Sequence, residues 1–116
     1  LGASGQVGSA LRQKFPDGIF WDRSQADFEA GALLKNTLAS VPSDVVAVVN
    51  AAAFTQVDLA ESERERAYRV NALAPKSIAE WAQSRGLPFI HFSTDYVYDG
   101  SGSAPHRETD PLQPLN

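Results

Sequence analysis

The stretch Val45-Val46-Ala47-Val48-Val49-Asn50 constrains the fold most. It is apolar at every position but the last and rich in β-branched residues. A strand with one wet face alternates apolar and polar side chains. A run that is apolar on both faces reads as a parallel strand covered by helices on both sides. The flanking segments agree with that reading. "LGASGQVGSALRQKF" is a glycine turn running into a helix, with Val7, Ala10, Leu11 and Phe15 at helical spacing. Pro16-Asp17-Gly18 is a turn, and Ile19-Phe20-Trp21 is a short strand ending at Asp22-Arg23. "DFEAGALLKNTLAS" is a helix with Leu33, Leu34 and Leu38 on one face and Asp27 as its cap.

A long helix follows the central strand, over "RERAYRVNALAPKSIAEWAQSR". Its apolar positions are Ala67, Val70, Leu73 or Ala74, Ile78, Trp81 and Ala82. Pro75 kinks it or starts its second half, and Gly86 ends it. "LPFIHFS" is the next strand, and the chain is loop-like after Asp99-Gly100. Helices alternating with apolar strands predict right-handed βαβ crossovers and an open parallel sheet. The fold class is α/β, a doubly wound Rossmann-type sheet.

Composition narrows the function. With 116 residues, 43% of them apolar, the chain suffices for one domain. The net charge of −4, without a basic run, argues against nucleic acid or an anionic membrane as partner. There is no cysteine, and His91 and His106 have no metal-ligand spacing, so no metal is expected. No apolar run is long enough to span a bilayer, no signal-peptide pattern is visible, and the cytoplasm is the expected setting. The chain lacks Met, opens inside a glycine motif and stops in the Pro-rich "DPLQPLN". We expect it to be part of a longer protein.

Three segments carry candidate chemistry. Gly2, Gly5 and Gly8 have the spacing G-x-x-G-x-x-G at the mouth of a helix. Glycines let the backbone turn sharply and approach a pyrophosphate, which the free amides and positive end of the helix then bind. Asp22 lies twenty residues after Gly2, where an acidic residue takes the adenosine ribose hydroxyls of a dinucleotide. Asp22 favours NAD, whereas the guanidinium of Arg23 can pair with the 2′-phosphate of NADP, so the choice stays open. The second segment is "NAAAFTQVDLAES", whose small residues at a strand end let a ligand lie against the backbone. Asp58, Glu61 and Glu63 within it read as a helix cap and a solvated acidic turn rather than a metal cluster. Asn71 is exposed, or holds a buried water or a backbone bond. The third segment is "FIHFSTDYVYDG", whose hydroxyls fall at a strand's end on the same rim as the other two. His91 is expected to be supported by packing, His106 to be plain loop and Tyr98 to pack.

Together "GASGQVG", "NAAAFTQVDLAES", "VNALAP", "HFSTDYVYDG" and "ETDPLQPLN" resemble the extended short-chain dehydrogenase/reductase superfamily. Within it they are most similar to the dTDP-4-dehydrorhamnose reductase family. The resemblance runs over the whole chain. It implies an NADH- or NADPH-binding Rossmann domain, of which residues 1–116 are a part, and a smaller C-terminal domain for the sugar nucleotide. It also implies hydride delivery to the C4 ketone of dTDP-4-dehydro-L-rhamnose in dTDP-rhamnose biosynthesis, with a homodimer possible in the full-length protein.

By motif match, Gly2, Gly5 and Gly8 face the pyrophosphate, and Ser4, Gln6 and Val7 are also expected to contact the cofactor. Asp22 and Arg23 face the adenosine, and Asp27-Phe28 is the adenine-side pair. Asn50, Ala51, Ala52, Ala53, Asn71 and Ser93 complete the expected cofactor contacts. Thr94 is the catalytic hydroxyl that bonds the substrate carbonyl, with Asp95 and Tyr96 beside it in the substrate pocket. The family's Y-x-x-x-K motif, which supplies the proton donor and its helper, is expected a few residues after Asn116. The strand before the glycines is absent except for Leu1. We therefore expect this piece to be inactive, with two half-sheets lacking a common partner, and to fold poorly alone. Other readings within reach are a regulatory subunit like methionine adenosyltransferase beta and an NAD-dependent sugar-nucleotide epimerase or dehydratase.

Overall fold

The computed structural model describes residues 1–116. Helix α1 spans Gln6–Lys14 and begins after Gly5, whose backbone is extended (φ −77°, ψ 171°). It stops before Phe15 because Pro16 disfavours helical geometry in the residue preceding it. Helix α2 covers Gly31–Ala39, strand β1 Val48–Asn50, helix α3 Val57–Ser62 and helix α4 Arg64–Tyr68. A π-helical turn, Arg69–Leu73, joins α4 to helix α5, Ala74–Ser84. Strand β2 is Phe89–His91, and a 3₁₀ turn at Asp95–Val97 follows it.

Pro75 explains the wide turn. A proline inside a helix has no N–H to donate, and its ring clashes with the carbonyl four residues back, here that of Asn71. The turn widens so that the Ala74 amide reaches Arg69 O, five residues back. At the other end of α5, Gly86 takes φ +66°. There the Gly86 amide donates to Gln83 O and the Leu87 amide to Ala82 O, satisfying carbonyls that the helix leaves open.

Strands β1 and β2 are parallel, with Val48, Val49 and Asn50 opposite Phe89, Ile90 and His91. Leu1 lies on the other side of β1. Its N–H group donates to Val49 O at 3.0 Å, and the Ala51 amide donates to Leu1 O at 3.1 Å. That is the bonding pattern of a parallel ladder opposite Asn50. The Ala3 amide then donates to Trp21 O at 3.0 Å. Trp21, Leu1–Ala3, β1 and β2 therefore lie side by side. The expected second half-sheet is not found: the sheet has two strands, β1 and β2, and Leu1 bonds the other edge of β1.

Other expectations are also corrected. Ile19–Trp21 is not a strand, because its neighbour Leu1–Ala3 offers a single ladder bond. The strand expected over Val45–Asn50 is limited to its last three residues, where β2 and Leu1 supply partners; Val46 is 81% exposed. The strand expected over "LPFIHFS" shortens likewise to β2. Asp27 does not cap α2, which starts after Ala30 without a side-chain cap. Its Oδ1 instead accepts the Glu29 amide at 2.9 Å in a local turn.

The core joins Ala26, Phe28, Leu34, Leu38, Val70, Ala74 and Ile78, with Val48, Phe89 and Trp81 packed on it. Full burial of Ile78 contributes about 2 kcal/mol. In the long helical segment Ala74 is the buried position and Leu73 is exposed. Coverage by helices on both faces is not found. Ile90, Phe92, Val7 of α1 and Phe15 just after it are exposed, and α1 buries only Gly8. The architecture is a partial Rossmann-like α/β fold with its core on one side of a small parallel sheet.

Candidate functional site

Two glycines are dictated by backbone packing. Gly2 has φ +80°, and a Cβ there would sit 2.6 Å from Ala51 C and Ala52 N. A Cβ on Gly8 would sit 2.1 Å from Gly2 O. No side chain fits at either place, so the first turn of α1 presses onto Gly2, and Gly2 onto the backbone just after β1. Gly5 differs: the nearest atom to a Cβ there is 3.5 Å away. Its amide donates to Gly2 O at 3.1 Å, which closes the turn. The amides of Gln6, Val7 and Gly8 donate to no protein acceptor. Three unpaired N–H groups at the positive end of a helix suit an anion.

A cleft of about 660 Å³ opens over this turn. Ligand pockets are commonly about 300–1,000 Å³. Three segments line it: Gly2, Ser4, Gly5, Gln6 and Val7; then Ala51, Ala52 and Ala53; then Asp22, Arg23, Asp27 and Phe28. Phe54 and Thr55, from the second candidate segment, also line it, as do Ala26, Glu29 and Val70, to which no sequence signal pointed. Glycine-driven approach, free amides and an acidic far end fit an adenine dinucleotide, whose pyrophosphate would face the amides and whose ribose would face Asp22.

Gly8, Asn50, Asn71 and Ser93 do not line the cleft. Gly8 lies beneath its floor. Asn50 is fully buried at the end of β1. Its Oδ1 accepts the Ala52 amide at 3.0 Å, so its Nδ2 must donate to His91 Nδ1, 3.1 Å away. The neutral His91 ring then carries its proton on Nε2. Asn71 is exposed and holds the loop after β1 at two points. Its Oδ1 accepts the Phe54 amide at 2.8 Å and its Nδ2 donates to Phe54 O at 2.9 Å. Asn50 and Asn71 thus shape the Ala51–Phe54 wall from outside it. Ser93 is exposed beyond β2.

The acidic end is a network. Asp22 Oδ1 accepts both the Ser24 hydroxyl at 2.6 Å and the Ser24 amide at 2.8 Å. These bonds, the hydroxyl's first, hold the Asp22 carboxyl below the usual carboxylate range. Arg23 pairs with Glu29, and with Asp27 at 3.5 Å. Arg66 pairs with Glu63 at 2.7 Å and Glu29 at 3.0 Å, which raises the guanidinium pKa, the Glu63 bond contributing most. Arg66 also lies over the Phe54 ring, 5.1 Å from its centroid. Glu61 pairs with Arg64 and Asp58 sits in the first turn of α3, so the acidic residues of this loop do not converge.

The Ser93–Tyr98 stretch stands apart. Thr94 caps the 3₁₀ turn: its Oγ1 accepts the Tyr96 amide at 3.2 Å and donates to Asp95 Oδ1 at 3.3 Å. It does not line the cleft. Asp95 and Tyr96, with Tyr98, His106, Leu115 and Asn116, line a second hollow of about 380 Å³. Tyr98 does pack, against His106, with ring centroids 3.9 Å apart. His106 is more than plain loop, since its Nδ1 also lies 3.4 Å from Asp110.

No helix is long and apolar enough to cross a membrane. Residues 1–116 match the family model described as "RmlD substrate binding domain". The chain is 42% identical to the dTDP-4-dehydrorhamnose reductase of Escherichia coli, over 100% of this chain and 40% of that protein. It is 41% identical to the one of Burkholderia thailandensis, over 99% of this chain and 39% of that protein. A crystal structure of a dTDP-4-dehydrorhamnose reductase from Clostridium acetobutylicum superposes with a TM-score of 0.84 at 33% identity, covering 97% of this chain and 41% of that one. The chain thus spans about two fifths of the length of the curated relatives it matches. With the whole chain matched and the identity near 40%, it belongs to the RmlD family of dTDP-4-dehydrorhamnose reductases.

Proposed function

We propose that the protein carrying this chain is an NAD(P)H-dependent reductase that converts the C4 ketone of dTDP-4-dehydro-L-rhamnose to the alcohol of dTDP-L-rhamnose. Residues 1–116 form part of its dinucleotide-binding domain. The observation that carries the reading is the meeting, in one cleft, of the unpaired amides of Gln6 and Val7, the Gly2 approach to Ala51–Ala52 and the acidic end at Asp22. The names of the curated relatives support the substrate.

In this reading Ser4, Gly5, Gln6 and Val7 hold the pyrophosphate and Asp22 accepts from the adenosine ribose. Phe28 and Asp27 bound the adenine, and Ala51–Ala53 lie along the middle of the cofactor. Gly8, Asn50 and Asn71 support them. Reduced nicotinamide, when bound, supplies the hydride. Thr94 donates a hydrogen bond to the substrate carbonyl oxygen as negative charge develops there, with Ser93, Asp95 and Tyr96 around it. The proton comes from a phenol: no Y-x-x-x-K motif occurs among these 116 residues. The partner is a small dTDP-sugar, not a nucleic acid or a membrane, and the setting is the cytoplasm, with a homodimer as the assembly.

In the full-length protein Thr94→Val should lower kcat by about 10²-fold while cofactor affinity changes little. An unchanged kcat removes Thr94 from the mechanism. Absence of NADH and NADPH binding overturns the cofactor reading.

A further inference from the structure

Two walls of the cleft come from distant parts of the chain. Asp27, Phe28 and Glu29 belong to one, and Ala51, Ala52, Ala53, Phe54 and Thr55 to the other. Arg66 lies behind both and does not line the cleft itself. Its guanidinium uses three separate surfaces. Nε donates to Glu29 Oε1 at 3.0 Å, Nη1 donates to Glu63 Oε2 at 2.7 Å, and the group lies over the Phe54 ring, 5.1 Å from its centroid. Glu63 therefore orients the guanidinium, while Glu29 and Phe54 connect it to one wall each.

The remaining supports of these walls do different work. Asn71 holds the backbone of Phe54, which leaves the ring to Arg66. Glu29 has a second partner in Arg23, whose side chain is 62% exposed against 34% for Arg66. Water and salt screen the more exposed pair more strongly. Val70, four residues after Arg66, is buried in the core and lines the cleft, so the helical segment is itself seated against the site. A flat heteroaromatic ring binds well between walls whose separation is fixed beforehand; otherwise binding carries the cost of ordering them.

We infer that Arg66 is a positioning residue that ties the two walls together and sets the width of the cleft at its adenine end. It acts through Glu29 and Phe54 rather than by touching the ligand. The planar guanidinium is required: a lysine keeps the charge but is a compact point donor, which cannot hold both carboxylates at these separate positions while lying flat on a ring. This rests on the dinucleotide reading above.

The test is calorimetric titration of the full-length protein and its Arg66→Met, Arg66→Lys and Glu63→Gln variants with ADP, which carries the adenine, ribose and pyrophosphate that this end of the cleft would hold. Arg66→Met weakens ADP binding by about tenfold, the scale of one charge-assisted hydrogen bond lost. Arg66→Lys recovers no more than about threefold of that loss. Glu63→Gln, which keeps Arg66 and every lining residue, weakens ADP binding by about twofold to threefold. In steady-state assays of Arg66→Met the KM for the dinucleotide rises in step, while kcat at saturation and the KM for the sugar nucleotide stay within about twofold of wild type. Unchanged ADP affinity in Arg66→Met, or full affinity in Arg66→Lys, overturns the inference. So does a parallel fall in kcat and in sugar-nucleotide affinity, which a general loss of structure would give. Arg66→Lys and Glu63→Gln decide the matter if Arg66→Met does not fold. A wild type that binds no ADP overturns the dinucleotide reading itself.

Discussion

The cleft and the Ser93–Tyr98 stretch both hang on strand ends, yet they are held differently. The cleft is closed by bonds between distant parts of the chain. Leu1 bonds Val49, Ala3 bonds Trp21, and Asn71 grips Phe54. Thr94 bonds only its neighbours Asp95 and Tyr96. One backbone bond, from the Gln113 amide to Val97 O, ties the later stretch to the tail. A site fixed by long-range bonds has its shape before any ligand arrives. A stretch fixed by local bonds keeps its own turn but takes its placement from whatever packs beside it.

Substitutions can break this contrast, starting with the interlocked glycines. In the full-length protein Gly8→Ala forces a Cβ to 2.1 Å from Gly2 O and should cost about 3 kcal/mol in a denaturant melt. An unchanged midpoint would mean that the floor of the cleft is not close-packed. Asn71→Ala unpairs both polar groups of Phe54, for a loss of about 1–2 kcal/mol and weaker dinucleotide binding. Full retention of both properties would show that the loop after β1 stands without its clamp.

Gly5→Ala sharpens the contrast from the other side. The site is open and its φ of −77° suits alanine, so stability should change by less than about 1 kcal/mol. Dinucleotide affinity should fall, because the new methyl group occupies the ligand's side of the turn. Equal affinity would place the pyrophosphate elsewhere.

The smallest effect concerns pH. The Asp22 carboxyl has a lowered pKa in the folded chain, so its bonds to Ser24 contribute stability above the ordinary carboxylate range. That contribution disappears as pH falls through the lowered value. The stability gap between wild type and Asp22→Ala should accordingly be small at neutral pH and shrink as pH falls below the ordinary carboxylate range. A gap that widens in acid would reverse the assigned direction.

Local chemistry was the legible part of this molecule. The glycine spacing, the break at Pro75 and the stop at Gly86 act within a few residues, and each is found in its place. What escaped depends on partners far along the chain. Val45–Ala47 has strand composition but no neighbour to pair with, and Ile19–Trp21 finds only one ladder bond. Asp27 looked like a cap because its type is right, but α2 starts only at Gly31. Glu29 carries no signal of its own in the sequence; only folding brings Arg66 to it from 37 residues away. Thr94 reads as the catalytic hydroxyl only through its motif; its own hydrogen bonds are to Asp95 and Tyr96.

The π-helical turn before Pro75 has a rotational consequence. One residue corresponds to about 100° of turn around a helix axis. The extra residue in Arg69–Leu73 thus sets the angular phase between α4 and α5. With that phase, Ile78 and Ala82 point into the core while Arg66 points at Glu29 and Phe54. Deleting a single residue there would leave both helices intact yet swing Arg66 about a quarter-turn off the cleft wall. The spacing between Arg66 and Pro75 therefore sets where Arg66 meets the cleft wall.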